Sequence, residues 1–200
     1  MRVIAGSAKG TRLYGARGYR IRPITDSIKE SLFELLGDRA EVDDVLDLFA
    51  GVGSLGIEAL SRGAGHADFI EMHHATAASI IGNLERTHLA DRGRVIVAGL
   101  PGGLGRLGHR RTSTSESTGS YGLIFVDPPF RIEARLLDEL FLRISSAEML
   151  EAGGLIVYRH SPQSSYEPPG DELELEERRH YGGSTICMYR MTDDVSGVQS

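Results

Sequence analysis

Val45-Leu-Asp47-Leu-Phe49-Ala-Gly51-Val-Gly53-Ser-Leu-Gly56 is the stretch that decides the fold. From Val45 to Ala50 it is apolar apart from Asp47 and short enough for one buried strand. It runs directly into glycines, and the pattern predicts a helix from about Ser54 to Arg62, closed by Gly63. Glycines at such a turn permit a tight bend and let a ligand approach the backbone. Gly51, Gly53 and Gly56 spell G-x-G-x-x-G, a spacing that several adenosine-containing cofactors share.

Working outward, the same alternation continues. Upstream, Pro23 gives an extended entry, Thr25 reads as a helix N-cap, and Ile28, Leu32, Leu35 and Leu36 recur at helical spacing before Gly37. Downstream, strands are predicted at 67–71, 94–98, 122–127 and 154–158. Helices are predicted from Ala75 to His88 and around Leu136, Leu137, Leu140, Phe141 and Ile144. Two further strands, near 173–179 and 184–190, flank Tyr181-Gly-Gly. The expected fold is α/β and Rossmann-like: a doubly wound, mainly parallel seven-stranded sheet with an antiparallel C-terminal edge strand. A small N-terminal extension (1–24), as a hairpin or an arm, precedes the main domain (25–192). A frayed tail (193–200) follows it. Residues 99–120, rich in Gly, Ser and Thr, read as a flexible surface loop.

The 200 residues suffice for one domain with a sizeable core. No run of 18 apolar residues exists, which argues against a membrane span, and the first residues lack a secretory pattern, so the expected location is the cytoplasm. The single Cys187 excludes an internal disulfide and reads as a buried, inert thiol. His73, His74 and Cys187 do not make a ligand set, so no metal is expected. The net charge of −6 argues against a general nucleic-acid binder. Its distribution is uneven. Arg2, Lys9, Arg12, Arg17, Arg20 and Arg22 come before any acid, whereas 167–177 carries six acids and no base. A basic piece on an acidic body can grip phosphates locally, or be a solvated tail.

Asp47 narrows the choice of cofactor. A carboxylate inside the strand repels a pyrophosphate but suits a cation, such as the sulfonium and amino groups of S-adenosylmethionine (SAM). It can also brace the glycine loop by accepting its amides. Glu71, at the end of the next strand, is placed to hold ribose hydroxyls. The second motif, Asp127-Pro128-Pro129-Phe130, follows the fourth strand. Two prolines stiffen the turn and remove two donors, leaving the Asp127 carboxylate and the Pro128 carbonyl as acceptors. Two acceptors suit the two N–H groups of an exocyclic amine. They would aim its lone pair at a methyl donor, so that placement does the catalytic work. Phe130 offers a face for a flipped base.

On these motifs the chain resembles the bacterial 16S ribosomal RNA guanine-N2 methyltransferases that act at guanine 966. The resemblance runs through Arg2-Val-Ile-Ala-Gly, Arg22-Pro-Ile-Thr-Asp26, Leu46-Asp-Leu-Phe-Ala-Gly51, Gly56-Ile-Glu-Ala-Leu-Ser-Arg-Gly63, Ile124-Phe-Val-Asp-Pro-Pro-Phe130 and Tyr181-Gly-Gly-Ser-Thr185. It implies a SAM-dependent enzyme acting as a monomer on 16S rRNA or a small-subunit assembly particle. It implies that Asp47, Phe49, Gly51, Gly53, Gly56, Glu71 and Met72 bind the cofactor, and that Asp127, Pro128 and Phe130 carry the chemistry. Arg12, Arg17, Arg22, Thr25, Asp26 and Pro129 would then meet the RNA. Val52, His73, Gly99 and Arg159 depart from the usual family pattern, from which weakened but retained SAM affinity is expected. Three rival readings remain: a same-fold transferase for adenine N6 or protein glutamine, a nicotinamide oxidoreductase, and an RNA-binding relative without activity.

Overall fold

The glycine turn emerges from the middle of the sheet. The computed structural model describes residues 1–15, 24–107, 120–146 and 149–192. Strand β1 (Asp44–Leu48) pairs in parallel with β2 (His66–Glu71) on one side and β4 (Tyr121–Val126) on the other. β3 (Gly93–Val97) lies outside β2, and β5 (Leu150–His160) outside β4, both parallel. β7 (Ser184–Met191) then runs antiparallel beside β5, and β6 (Leu173–Tyr181) closes the edge antiparallel to β7. The order is β3-β2-β1-β4-β5-β7-β6. Chain order reverses between β1 and β4, so the loops leaving both strands open onto the crevice where doubly wound sheets bind ligands. The expected doubly wound sheet is present. Its C-terminal hairpin docks by its second strand, which leaves β6 outermost.

Each face of the sheet is covered because alternate strand residues point opposite ways. Val45, Leu123 and Phe125 face one core, with α1 (Asp26–Leu36), α2 (Ser54–Arg62) and α3 (His74–Arg86). Leu46, Leu48, Ile124 and Val126 face the other, where α4 (Ala134–Ser146) inserts Leu137, Leu140, Phe141 and Ile144. α1 starts as expected: Thr25 accepts the Ile28 N–H on its side chain at 3.3 Å, and Gly37 ends the helix at φ 53°. The exposed edge strand β6 is charged, with Glu176 bonded to both Arg39 (2.9 Å) and Arg190 (2.8 Å), which discourages pairing with another strand.

Three expectations need correction. Residues 99–107 are not a flexible surface loop. A 3-10 turn at Gly102–Arg106 buries Leu104, and Leu107 follows it into the core beside α4. The remainder of that segment, 108–119, lies outside the described residues. β5 is eleven residues long rather than five, because a register shift lets Leu150 pair with Tyr121 before the regular ladder resumes at Leu155. α3 stops at Arg86, and His88 adopts a left-handed φ of 58°, which no helix can continue.

The first fifteen residues form a hairpin, bridged from Arg2 to Arg12, and not a loose arm. Val3, Ala8 and Leu13 are buried against α1 and α2. Polar contacts fix the rest. Glu58 of α2, fully buried, accepts the N–H groups of Ile4 (2.8 Å) and Ala5 (3.0 Å) and pairs with Lys29 Nζ at 3.0 Å. Lys29 in turn donates to the Arg2 carbonyl at 2.7 Å. Burial lowers the Lys29 pKa, against the opposing pull of Glu58. A buried ion pair holds only when its remaining hydrogen bonds are made, and here backbone groups of the hairpin make them.

Candidate active site

A cavity of about 550 Å³ opens where the loops after β1, β2 and β4 meet, a size typical of small-molecule sites. Asp47, Phe49, Gly51, Glu71, Met72, Asp127, Pro128, Pro129 and Phe130 all line it. The two motifs are thus brought together, because β1 and β4 are adjacent and Leu48 lies opposite Val126. Phe49, a bulky residue at φ 61°, leaves the strand in a conformation that residues of its type rarely adopt; such strain collects at functional turns.

Three carboxylates share this cavity. Asp47 is 2% exposed and accepts the Gly56 N–H at 3.0 Å, so it braces the loop while facing the cavity. Burial, together with the charges of Asp127 and Glu71 and against the Gly56 bond, pushes it up to about 8. Glu71 accepts the N–H of Gly51 on one oxygen (3.0 Å) and that of His73 on the other (2.8 Å), tying the loop after β1 to the loop after β2. Asp127 is gripped by Arg159, Nε to Oδ1 at 2.7 Å and Nη2 to Oδ2 at 2.9 Å. Burial raises the Asp127 pKa, and the guanidinium works against that. Arg159 also lies over the Phe130 ring, 5.3 Å from its centroid, and so covers one of its faces.

Other expected site residues stand elsewhere. Gly53 and Gly56 do not line the cavity. Gly53 takes a left-handed φ of 78° as the N-cap of α2. A Cβ on Gly56 would stand 2.4 Å from Phe69 Cε1, so that glycine lets helix and strand pack closely. Thr25 caps α1, and Asp26 accepts the Arg2 N–H at 3.2 Å; neither lines the cavity, though Ile24 does. Arg12 is exposed on the hairpin. Arg17 and Arg22 lie outside the described residues.

Met1, Ile24, Ser54, Thr76, Leu100 and Leu136 also line the cavity, and no motif or spacing pointed to them. The hydroxyls of Ser54 and Thr76 are buried without a hydrogen-bond partner among the described residues, a rare condition that a ligand would relieve. Val52, His73, Gly99 and Arg159 all line the cavity. Arg159 in particular had a signal, as a departure from the family pattern, but its partner depends on strand register. Among the described residues no group of three metal-ligating side chains occurs, and no helix is long and apolar enough to cross a membrane.

This strand order, with a glycine loop after the first strand, an acid ending the second and Asp-Pro-Pro-Phe after the fourth, defines the class I SAM-dependent methyltransferase fold. The family described as conserved hypothetical protein 95 matches residues 1–190. YlbH of Bacillus subtilis, whose name proposes an rRNA methyltransferase, is 34% identical over 190 residues, 95% of this chain and 98% of its own length. The ribosomal RNA small subunit methyltransferase D of Haemophilus influenzae is 32% identical, covering 96% of this chain and 92% of its own. The solved structure of yhhF from Escherichia coli superimposes with a TM-score of 0.77 at 31% identity, covering 96% of this chain and 97% of that one. The chain belongs to this family, the one its motifs resemble.

Proposed function

We propose that the chain transfers a methyl group from SAM to the exocyclic N2 amino group of a guanine in 16S rRNA, presented by the small ribosomal subunit or its assembly particle. One observation carries the reading: the glycine loop, Glu71 and the Asp127–Phe130 turn wall a single cavity. The donor set fits the cofactor. Glu71, and Asp47 once a cation displaces its proton, suit a cationic occupant, and the partnerless hydroxyls of Ser54 and Thr76 suit a polar ligand. SAM bound there supplies an electrophilic methyl group on a sulfonium. The residues of the chain supply placement. The Asp127 carboxylate and the Pro128 carbonyl accept the amine N–H groups, Pro128 and Pro129 keep that turn stiff, and Phe130 supports the base. The relatives' names support ribosomal RNA of the small subunit as the substrate.

The test is transfer of a labelled methyl group onto small-subunit particles lacking the modification, followed by mapping of the labelled nucleotide. We expect label on one guanine, as N2-methylguanine. Asp127→Ala should abolish transfer with particle binding retained. Label on adenine, or on protein, would replace the proposed substrate with another amine; no label on any acceptor would overturn the reading.

A further inference from the structure

Arg159 is the penultimate residue of β5, and β4 and β5 run parallel with Val126 opposite Tyr158. The next pair along is therefore Asp127 and Arg159. Their side chains meet as a two-pronged fork, at 2.7 and 2.9 Å, with 16% and 8% of the respective side chains exposed. A guanidinium fork matches a carboxylate in one plane, whereas an ammonium supplies only a point charge. Resting on the methyl-transfer reading above, we propose that Arg159 is the positioning residue of this reaction: it fixes the Asp127 carboxylate in one orientation and leaves each oxygen a lone pair for the amine N–H of the base.

The chemistry requires such a partner. As the amine nitrogen forms its bond to the methyl carbon, the carbon–sulfur bond breaks and its electron pair stays on sulfur. The nitrogen becomes cationic, and one of its protons then leaves to water. Asp127 helps best when ionised, because protonation turns one of its two acceptor oxygens into a donor, which faces either the Arg159 fork or the amine. Its surroundings oppose ionisation. It is largely buried, which raises its pKa; Asp47 and Glu71 line the same cavity. His73 and Met1 also line the cavity, but Arg159 is the group that meets both Asp127 oxygens. By lying over Phe130 as well, it joins the acceptor and the stacking surface into one unit.

The experiment compares wild type, Arg159→Gln and Arg159→Lys. It measures kcat/KM for transfer to small-subunit particles across pH, and the carboxyl ¹³C titration of Asp127 in the protein alone, assigned with Asp127→Asn. Arg159→Gln should raise the Asp127 titration and the acid limb of the profile together, by about 1 to 3 pH units, the usual effect of losing a close opposite charge. Arg159→Lys should return the limb most of the way while kcat stays depressed, since charge is restored without the fork. Affinity for S-adenosylhomocysteine should not weaken, because a cation has left a cation-binding cavity. If wild type transfers and Arg159→Gln keeps both the wild-type limb and the wild-type titration, the role of Arg159 is refuted while the transfer reading stands. If wild type transfers nothing to any acceptor, the transfer reading itself fails, and this role with it.

Discussion

If SAM occupies the cavity as proposed, Asp47 should make its affinity a function of pH. In the cavity its carboxyl titrates near 8, chiefly because it is buried and also because Asp127 and Glu71 repel its charge. A cationic occupant favours the ionised form, so binding below pH 8 must expel a proton. If the bound carboxyl titrates in the ordinary range, near ~3.9, affinity falls about tenfold for each pH unit below 8. From pH 7.5 to 5.5 the loss is roughly a hundredfold, about 2.7 kcal/mol. Calorimetry with S-adenosylhomocysteine, which keeps the ammonium and cannot react, reads this directly. Repeating it at pH 6.5 in buffers of different ionisation enthalpy should show about one proton released per ligand. Asp47→Asn should flatten both the slope and the proton release. The sign for folding is opposite to that for binding. A carboxyl raised from its ordinary 3.8 favours the empty fold at low pH, and that contribution is lost as pH climbs through 8. The cofactor should therefore raise the melting temperature more at pH 8 than at pH 6. A slope unchanged by Asp47→Asn, or no proton release in wild type, would refute the argument.

Two further outcomes follow from packing and charge. Gly56→Ala would place a methyl 2.4 Å from the buried ring of Phe69 and should cost about 1–3 kcal/mol in denaturant unfolding, whereas Gly82→Ala, with nothing within 4 Å, should stabilise α3 by roughly 0.5–1 kcal/mol. Asp68 is buried, which would raise its pKa, but hydrogen bonds from His66, Arg94 and Tyr121 bring it down to about 2. Its contribution to stability, on the order of 2 kcal/mol, should be present above about pH 4 and lost as pH falls through 2, and Arg94→Met should remove part of it; an acid unfolding curve identical in both proteins would contradict this.

Local signals in the sequence carried most of the fold. Thr25 and Gly37 bracket α1 because capping depends on residues three or four positions away. The apolar run before Gly51 and the Asp127 turn were legible for the same reason. What the sequence withheld depends on register and on distant packing. Arg159 meets Asp127 only because β5 aligns with β4 as it does. Gly56 belongs to the glycine motif, yet its place is decided by a ring on β2 that no spacing reveals. Residues 99–107 looked loose because glycine is common in loops, but Leu104 and Leu107 find a core that only the finished sheet provides. The burial of Glu58 depends likewise on distant parts of the chain, the hairpin and Lys29 that close over it.

That closure bears on how an acidic protein can approach a polyanion. Exposed Lys9 and Arg12 do not hang on a tether. The hairpin that carries them is fixed by Val3, Leu13 and the Glu58–Lys29 pair, and its first residue, Met1, lines the cavity. Arg2 is partly committed, with its Nε 3.5 Å from Asp26. A basic surface that is already ordered loses little conformational entropy on binding, so few cations can contribute more than the same number on a mobile tail. On the far edge strand, Glu176 is engaged with Arg39 and Arg190, and Glu177 with Arg179. On the rRNA reading, the net charge of −6 is therefore a poor guide: the phosphate backbone would meet the hairpin beside the cavity, where the field is local and opposite in sign to that of the whole.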